Sequence, residues 1–406
     1  MTPARRGLVL LFVADVLSAV GSRITMVAIP WLVLVTTGSA ARMGLVAAVE
    51  LVPYIISSIM AGPIIDNLGP RRTSVVANLA SSVAVAAIAA TTSLGFGALL
   101  VLVAVAGALR GAADRSKDLL VRPMAEAADV QLIRITSLHE AFARGATLLG
   151  APLGGLLIYL TDAASVLWID AATFVVCAVL VAAFVHPPKV VSDTARDKYF
   201  RSLAEGFSFV RRDELLATML ITTFTMNIFA SASTAVFIPV WVRDELGSAE
   251  GLGLTLGAFS AGALLGSITF AVLATRVPRY LTFALGALIG GSPRLLVLGL
   301  SDNLVLVMVV TFLSGIGIAA INPVFGAALY EHVPKNLQAR VIGLVAASSF
   351  AGLPLGALLA GELVSGLGLI PALVWSGIAC LIVSIFPLLR RGPGKILDAP
   401  KTVEAT

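Results

Sequence analysis

Twelve apolar runs, each about the 20 residues that a bilayer crossing requires, leave this 406-residue chain few folds to choose from. They cover residues 7–35, 43–65, 73–92, 98–114, 137–159 and 164–185. After a long polar segment come 215–242, 253–274, 281–300, 304–330, 341–364 and 370–389. In hydrocarbon every backbone N–H and C=O must find a partner within the protein, so only helices and closed barrels span. The runs are rich in Leu and Ala, too long for barrel strands and without their two-residue alternation, so helices are expected. Charged residues make up 13% of the chain, about half the share in soluble proteins. The first run has no small-residue cleavage site and eleven more follow it, so the expectation is a retained helix and not a removable signal. Cys177 and Cys380 fall in mid-span, which argues against a disulfide or a metal site.

Basic residues set the expected orientation. The termini and every second loop carry Arg5, Arg6, Arg71, Arg72, Arg115, Lys117, Arg122, Arg134, Arg211, Arg212, Arg276, Arg279, Lys335, Arg340, Arg390 and Arg391, while the intervening loops offer Arg42 and Arg243. Both termini are therefore expected in the cytoplasm. The net charge of +5 belongs to these loops, and no nucleic-acid partner is implied.

The chain also repeats itself. Ile29-Pro30 followed by Gly38-Ser39-Ala40 returns at the same internal spacing as Ile238-Pro239 and Gly247-Ser248-Ala249. Gly150-Ala-Pro152-Leu-Gly154 returns as Gly352-Leu-Pro354-Leu-Gly356. Two matches in the same order imply duplicated six-helix halves, and an even number of spans gives both the same orientation. The domains expected are a bundle over 1–185, a cytoplasmic linker over 186–213, a second bundle over 214–390 and a tail over 391–406. In the linker Phe200, Leu203, Phe207 and Val210 recur at helical spacing. That fits an amphipathic helix on the inner membrane surface, or equally a helix packed on protein.

One polar hinge stands out between the second and third runs. Residues 62–72 read Gly-Pro-Ile-Ile-Asp-Asn-Leu-Gly-Pro-Arg-Arg, in which Asn67, Gly69 and Pro70 break a helix. The spacing of Gly62, Asp66, Gly69, Arg71 and Arg72 resembles the loop signature between the second and third helices of the major facilitator superfamily. Residues 145–155, with Gly145, Gly150, Pro152, Gly154 and Gly155, resemble the fifth-helix antiporter motif of exporters in that superfamily. The match is imperfect, because Ala151 separates Gly150 from Pro152 and the first glycine is displaced by one. Glycines there also permit plain close packing of helices. Ile29-Pro-Trp-Leu, Arg110-Gly-Ala-Ala-Asp114, Arg122-Pro123 and Trp168-Ile-Asp170-Ala-Ala-Thr-Phe174 add a likeness to the branch holding the enterobactin exporter and the macrolide efflux proteins. The resemblance implies an all-α fold of twelve membrane helices in two parallel six-helix repeats. It also implies that Asp66 meets the inner end of the eleventh helix, while Arg71 or Arg72 with Arg110 and Asp114 completes a cytoplasmic latch.

Charges inside the spans are the remaining candidates, since each is costly in hydrocarbon unless paired or hydrated. Asp15 lies roughly 12 Å into the first span and Arg144 roughly 13 Å into the fifth; Arg23 and Glu50 lie roughly 24 Å from the cytoplasmic face. Matched depth suggests the pairs Asp15–Arg144 and Arg23–Glu50. Asp170 and Glu362 come close to the outer boundary and read as solvated surface positions. Asn227, Asn322-Pro323 and Arg294 are the candidates for a substrate cavity. No histidine is read as lying deep in a span, so proton coupling falls to carboxylates, Asp15 and Glu50 first. No Walker-type loop and no metal-ligand cluster is legible, so neither an enzyme nor a cofactor is expected. The expected function is proton-antiport export of a hydrophobic small molecule, with that substrate, protons and the bilayer as partners and the chain a monomer. An importer or facilitator, and a non-transporting receptor or scaffold, are the alternatives; the buried charges weigh against the last.

Overall fold

In the computed structural model the described residues are 2–90, 95–187, 207–335, 337–390, 392 and 397. Every regular element among them is a helix, and twelve are long and apolar enough to cross a membrane. We number these α1 Pro3–Thr37, α2 Ala40–Met60, α3 Pro70–Ala90, α4 Phe96–Ala127, α5 Leu132–Leu160, α6 Ala163–Phe184, α7 Glu214–Leu246, α8 Glu250–Leu273, α9 Arg279–Leu300, α10 Leu304–His332, α11 Gln338–Leu367 and α12 Leu369–Leu389. The chain is a multi-pass membrane protein. Large apolar side chains such as Val83, Val272, Leu300 and Ile382 stand exposed, which is a cost in water and none in lipid.

Local chemistry accounts for the helix ends. Thr2 caps α1, and Gly38, at φ 68°, closes it; Ser39 then caps α2. The first two spans are thus joined by two residues, where the apolar pattern alone suggested seven. Gly69, at φ 81°, ends the short helix Gly62–Leu68, and Pro70 opens α3. Asp162 caps α6 by accepting hydrogen bonds from the Ser165 amide (2.9 Å) and hydroxyl (2.6 Å), which hold its carboxyl below the usual range. Threonines inside the spans donate to carbonyls one turn back, as Thr37 does to Val33, Thr147 to Ala143 and Thr222 to Thr218. Their hydroxyls are satisfied without leaving the helix.

The chain divides into two compact units. The first comprises Met1–Thr194 with Val242–Leu256, the second Ala195–Trp241 with Gly257–Thr406. In the first, α1 packs on α5 and α6, α2 on α4, and α3 on α4 and α6. In the second, α7 packs on α11 and α9 packs on α10 and α12. The first unit's core includes Leu8, Leu11 and Phe12 of α1, Leu120 and Met124 of α4, and Cys177 and Val181 of α6. Both cysteines are free and buried.

Three departures from the sequence expectation matter, in α4, α9 and α7. Helix α4 runs on through Lys117 and Asp118 to Ala127, because its polar second half stays helical after the apolar run ends at 114. Helix α9 breaks at Gly291, and α10 breaks at Ala319–Ala320, just ahead of Asn322-Pro323. Helix α7 contains two π-helical turns, Ser233–Phe237 and Val242–Leu246, on either side of Pro239, which has no N–H to give the ladder. Of the linker helix, Phe200 and Leu203 lie outside the described residues; 207–212 are helical, with Val210 buried and Phe207 exposed.

Candidate functional site

Small residues on α4 decide where the first unit can hold charge. Gly107 lies against the backbone of Glu50 and Gly111 against that of Tyr54, so close that a Cβ at Gly111 would stand 3.0 Å from the Ser58 nitrogen. Helices α2 and α4 therefore touch backbone to backbone, and Arg110, between the two glycines, is carried straight to Glu50. The resulting ion pair is buried on both sides. The Arg110 guanidinium also lies over the Tyr54 ring, 5.7 Å from its centroid, a further favourable contact for the cation.

From there the charges continue down one face of α4. The Tyr54 hydroxyl donates to Asp114 (3.3 Å). Lys117, with only 1% of its side chain exposed, pairs with Asp114 three residues earlier and with Asp15 of α1, each at 3.0 Å. The other Asp15 oxygen meets Nε2 of His139 on α5 at 2.9 Å, and His139 reaches towards Asp118 at 3.9 Å. Phe12 of α1 closes one side of the imidazole, ring edge to face at 5.9 Å. Glu50, Arg110, Tyr54, Asp114, Lys117, Asp15 and His139 thus form one chain of polar contacts across four helices. It alternates acid and base, so the carboxylates face a cation or a donor rather than one another.

Several expected pairings are replaced by others. Glu50 takes Arg110 as its partner and not Arg23. Arg23 is exposed, with its guanidinium near the Met26 sulfur (3.8 Å); it stays within electrostatic range of Glu50, Tyr54, Arg110 and Asp114 but does not pair with Glu50. Asp15 takes Lys117 and His139 in place of Arg144, which is exposed on α5. His139 stands two turns into α5, just ahead of the apolar stretch that begins at Ala141, and reaches Asp15 from there. Asp170 is no surface residue: it is 1% exposed, and the hydroxyls of Thr25 and Thr173 donate to its carboxylate. Gly21 makes room for that carboxylate on α1. Glu362 is exposed as expected.

The hinge and the glycine motif separate into parts. Arg71 donates to the Ala182 carbonyl at the end of α6, and Arg72 and Asp66 are exposed. Arg110 and Asp114 belong to that chain of contacts and not to a latch with Arg71 or Arg72, because α4 turns both towards α2. Gly62 has open space around it. In the fifth-helix motif, Gly150 packs on the Arg23 side-chain stem and Gly154 on the Ile24 backbone, so both seat α5 on α1. Gly155 meets Gly253 within the first unit, where a Cβ would lie 2.5 Å from the Gly253 nitrogen. Gly145 meets nothing within 4 Å, and Pro152 sits inside α5 without ending it.

In the second unit, Asn227 donates to the Ser349 carbonyl (3.1 Å), tying α7 to α11. Beside it Gly352 and Gly356 pack on Phe224 and Ile228. Asn322 is exposed, just past the break in α10. Arg294 is 3% exposed, over the Phe259 ring at 5.0 Å. Tyr54, Lys117, His139 and Asp118 were not singled out from the sequence as site residues. The signal for two of them was present: Arg110, Asp114, Lys117 and Asp118 follow one another at spacings that share a helix face.

Known proteins resemble this chain over most of its length. The family model described as transmembrane secretion effector matches residues 2–395. The multidrug efflux pump Tap of Mycobacterium tuberculosis (strain ATCC 25618 / H37Rv) is 31% identical over 369 residues, 89% of this chain and 87% of that protein. The pump of the same name from Mycolicibacterium fortuitum is 30% identical over 383 residues, 91% and 92% of the two chains. Among solved structures, a mutant of the nucleoside transporter NupG superposes with a TM-score of 0.80 at 10% identity, covering 94% of this chain and 99% of that one. A POT family transporter in complex with 5-aminolevulinic acid gives 0.73 at 12% identity, covering 95% and 96%. At such identities the two structures speak for the fold alone.

Proposed function

Because the chain belongs to the transmembrane secretion effector family of the major facilitator superfamily, we propose that it exports a hydrophobic small molecule across the cell membrane in exchange for protons, by alternating access. The names of its Tap relatives support the direction and the substrate class. The observation that carries the coupling is the chain of contacts from Glu50 to His139, buried at Glu50, Arg110 and Lys117 and half-buried at Asp114, Asp15 and His139. A scaffold would gain nothing from it, since replacing buried ion pairs by apolar residues of like volume is often neutral or stabilising.

In this reading Glu50 and Asp15 exchange a cationic partner for a proton. Burial favours the neutral carboxyl and a nearby cation favours the carboxylate. Movement of α4 that draws Arg110 from Glu50, or Lys117 from Asp15, leaves a carboxylate that takes up a proton; return of the cation expels it. His139, in contact with Asp15, hands that proton on, one ring nitrogen accepting as the other donates. The hinge with Asp66, Arg71 and Arg72 biases one state of the cycle, and Asn227, Asn322 and Arg294 are the second half's contributions to substrate contact. Two halves, 1–185 and 214–390, joined by the linker 186–213 and followed by the tail 391–406, move against each other with both termini in the cytoplasm. The transporter works as a monomer.

Everted vesicles carrying a proton gradient, screened with a panel of lipophilic drugs and siderophores, test this directly. At least one compound should accumulate in a way that a protonophore abolishes. Accumulation that survives collapse of the gradient would remove the proton from the mechanism.

A further inference from the structure

Arg294, buried in the second unit, takes no part in the proton exchange proposed above. Among the described residues no carboxylate pairs with it, and its Nε finds no hydrogen-bond acceptor. The Phe259 face, 5.0 Å from the guanidinium carbon, offsets part of the cost of the buried cation. A buried guanidinium without a counter-charge still costs several kcal/mol.

Its place in the fold sets a helix N-terminus beside it. The break at Gly291 creates a new helix start inside α9, and Ser292, Arg294 and Leu295 of that first turn are all buried. The start has no side-chain cap and no acidic residue in its first turn. A helix N-terminus already carries partial positive charge and lacks intrahelical acceptors for its first N–H groups. The same break ends the segment Arg279–Gly290, whose free carbonyls carry partial negative charge, so the uncompensated charge is that of the Arg294 guanidinium itself. Ser314, whose hydroxyl also has no partner, precedes Gly315, which packs on the Phe259 backbone.

We infer that the break in α9 is an internal anion site, built from the N-terminus of Ser292–Leu300 and the Arg294 guanidinium, which takes one singly charged anionic group. That group is either the carboxylate of a transported molecule or a small inorganic anion. Binding is independent of whether the chain exports or imports, so the test needs no transport assay.

The full chain in nanodiscs of zwitterionic lipid is melted in isethionate buffer at constant ionic strength, titrated with sodium benzoate or with sodium chloride. The wild type should gain several degrees with saturation. R294Q should lose the response, and R122Q, which removes an exposed arginine, should keep it. Saturation by benzoate alone assigns the site to a carboxylate; saturation by chloride assigns it to an inorganic anion. If R294Q does not fold, R294K provides the contrast: it keeps the charge but not the fork, and its half-saturation should rise at least three-fold. No saturable response to either salt, an equal response in R294Q, or an unchanged half-saturation in R294K overturns the site.

Discussion

Glu50 on α2 and Arg110 on α4 form an ion pair whose side chains are 4% and 6% exposed. Removing one member strands the other in a low-dielectric interior, at a cost of about 3–5 kcal/mol. Glu50→Gln and Arg110→Gln should each cut folded yield several-fold, and the double substitution should restore it. The restored protein should still bind substrate but fail to couple export to a pH gradient. A double-mutant cycle on yield and on gradient-driven efflux checks both; additive losses of yield would mean that the two do not interact.

The second prediction concerns Asp15, which is held by Lys117 on one side and His139 on the other. Lys117→Met should lower yield, and Lys117→Met with Asp15→Asn should recover it. His139→Gln keeps a hydrogen-bonding group but has no basic nitrogen to take a proton. Its efflux rate in proteoliposomes should fall to at most half that of wild type. The imidazole meets Asp15 of α1 and reaches towards Asp118 of α4. An unaltered rate would return His139 to a structural role.

Two glycine substitutions that are alike on paper should behave oppositely. A Cβ at Gly107 collides with the Glu50 backbone, and one at Gly145 meets nothing within 4 Å. Gly107→Ala should lower stability by about 1–3 kcal/mol, read as an earlier melting transition, and Gly145→Ala should leave it in place. Equal behaviour would show that α2 and α4 are not held backbone to backbone.

At the hinge, Asp66→Asn should reach the membrane in normal amount and lose most transport, because the charge biases a conformation rather than the fold. Quantifying surface-normalised efflux decides this, and unchanged efflux would leave the hinge as a topology signal. For orientation, reporters fused after residue 401 or inserted at 196 should read as cytoplasmic, and one at Ser248 as external. An external reading at 196 would dismantle the arrangement of two six-helix halves.

How legible was all this beforehand? The helices were, because bilayer thickness imposes a length that no other constraint overrides. The fourth was cut short at 114 because hydropathy stops there, while helical hydrogen bonding, which hydropathy does not measure, continues to Ala127. Of the charges, depth along the axis could be computed and azimuth could not. Arg23 and Glu50 share a level, and Glu50 nevertheless turns to Arg110, where Gly107 and Gly111 let the helices close up. Asp170 was assigned to solvent from its nearness to a span end, and the two threonines that bury it come from α1 and from its own next turn. The pattern of charges at 110, 114, 117 and 118 was the readable clue, and it went unread because its second half lay beyond the expected span.

Helix α7 carries two turns in which the amide reaches back five residues, Ile238 to Ser233 and Gly247 to Val242 at 3.1 Å. Each such turn stores one residue more than an α turn, and one residue corresponds to roughly 100° of rotation. Transferring that surplus residue along the helix rotates only the side chains it passes, while backbone bonds are exchanged one at a time. The stretch between the two turns, which holds Ile238 and Trp241, is therefore the part of α7 whose side chains such a transfer would turn, with no hinge and no melted segment. Deleting a single residue from either turn would remove its surplus.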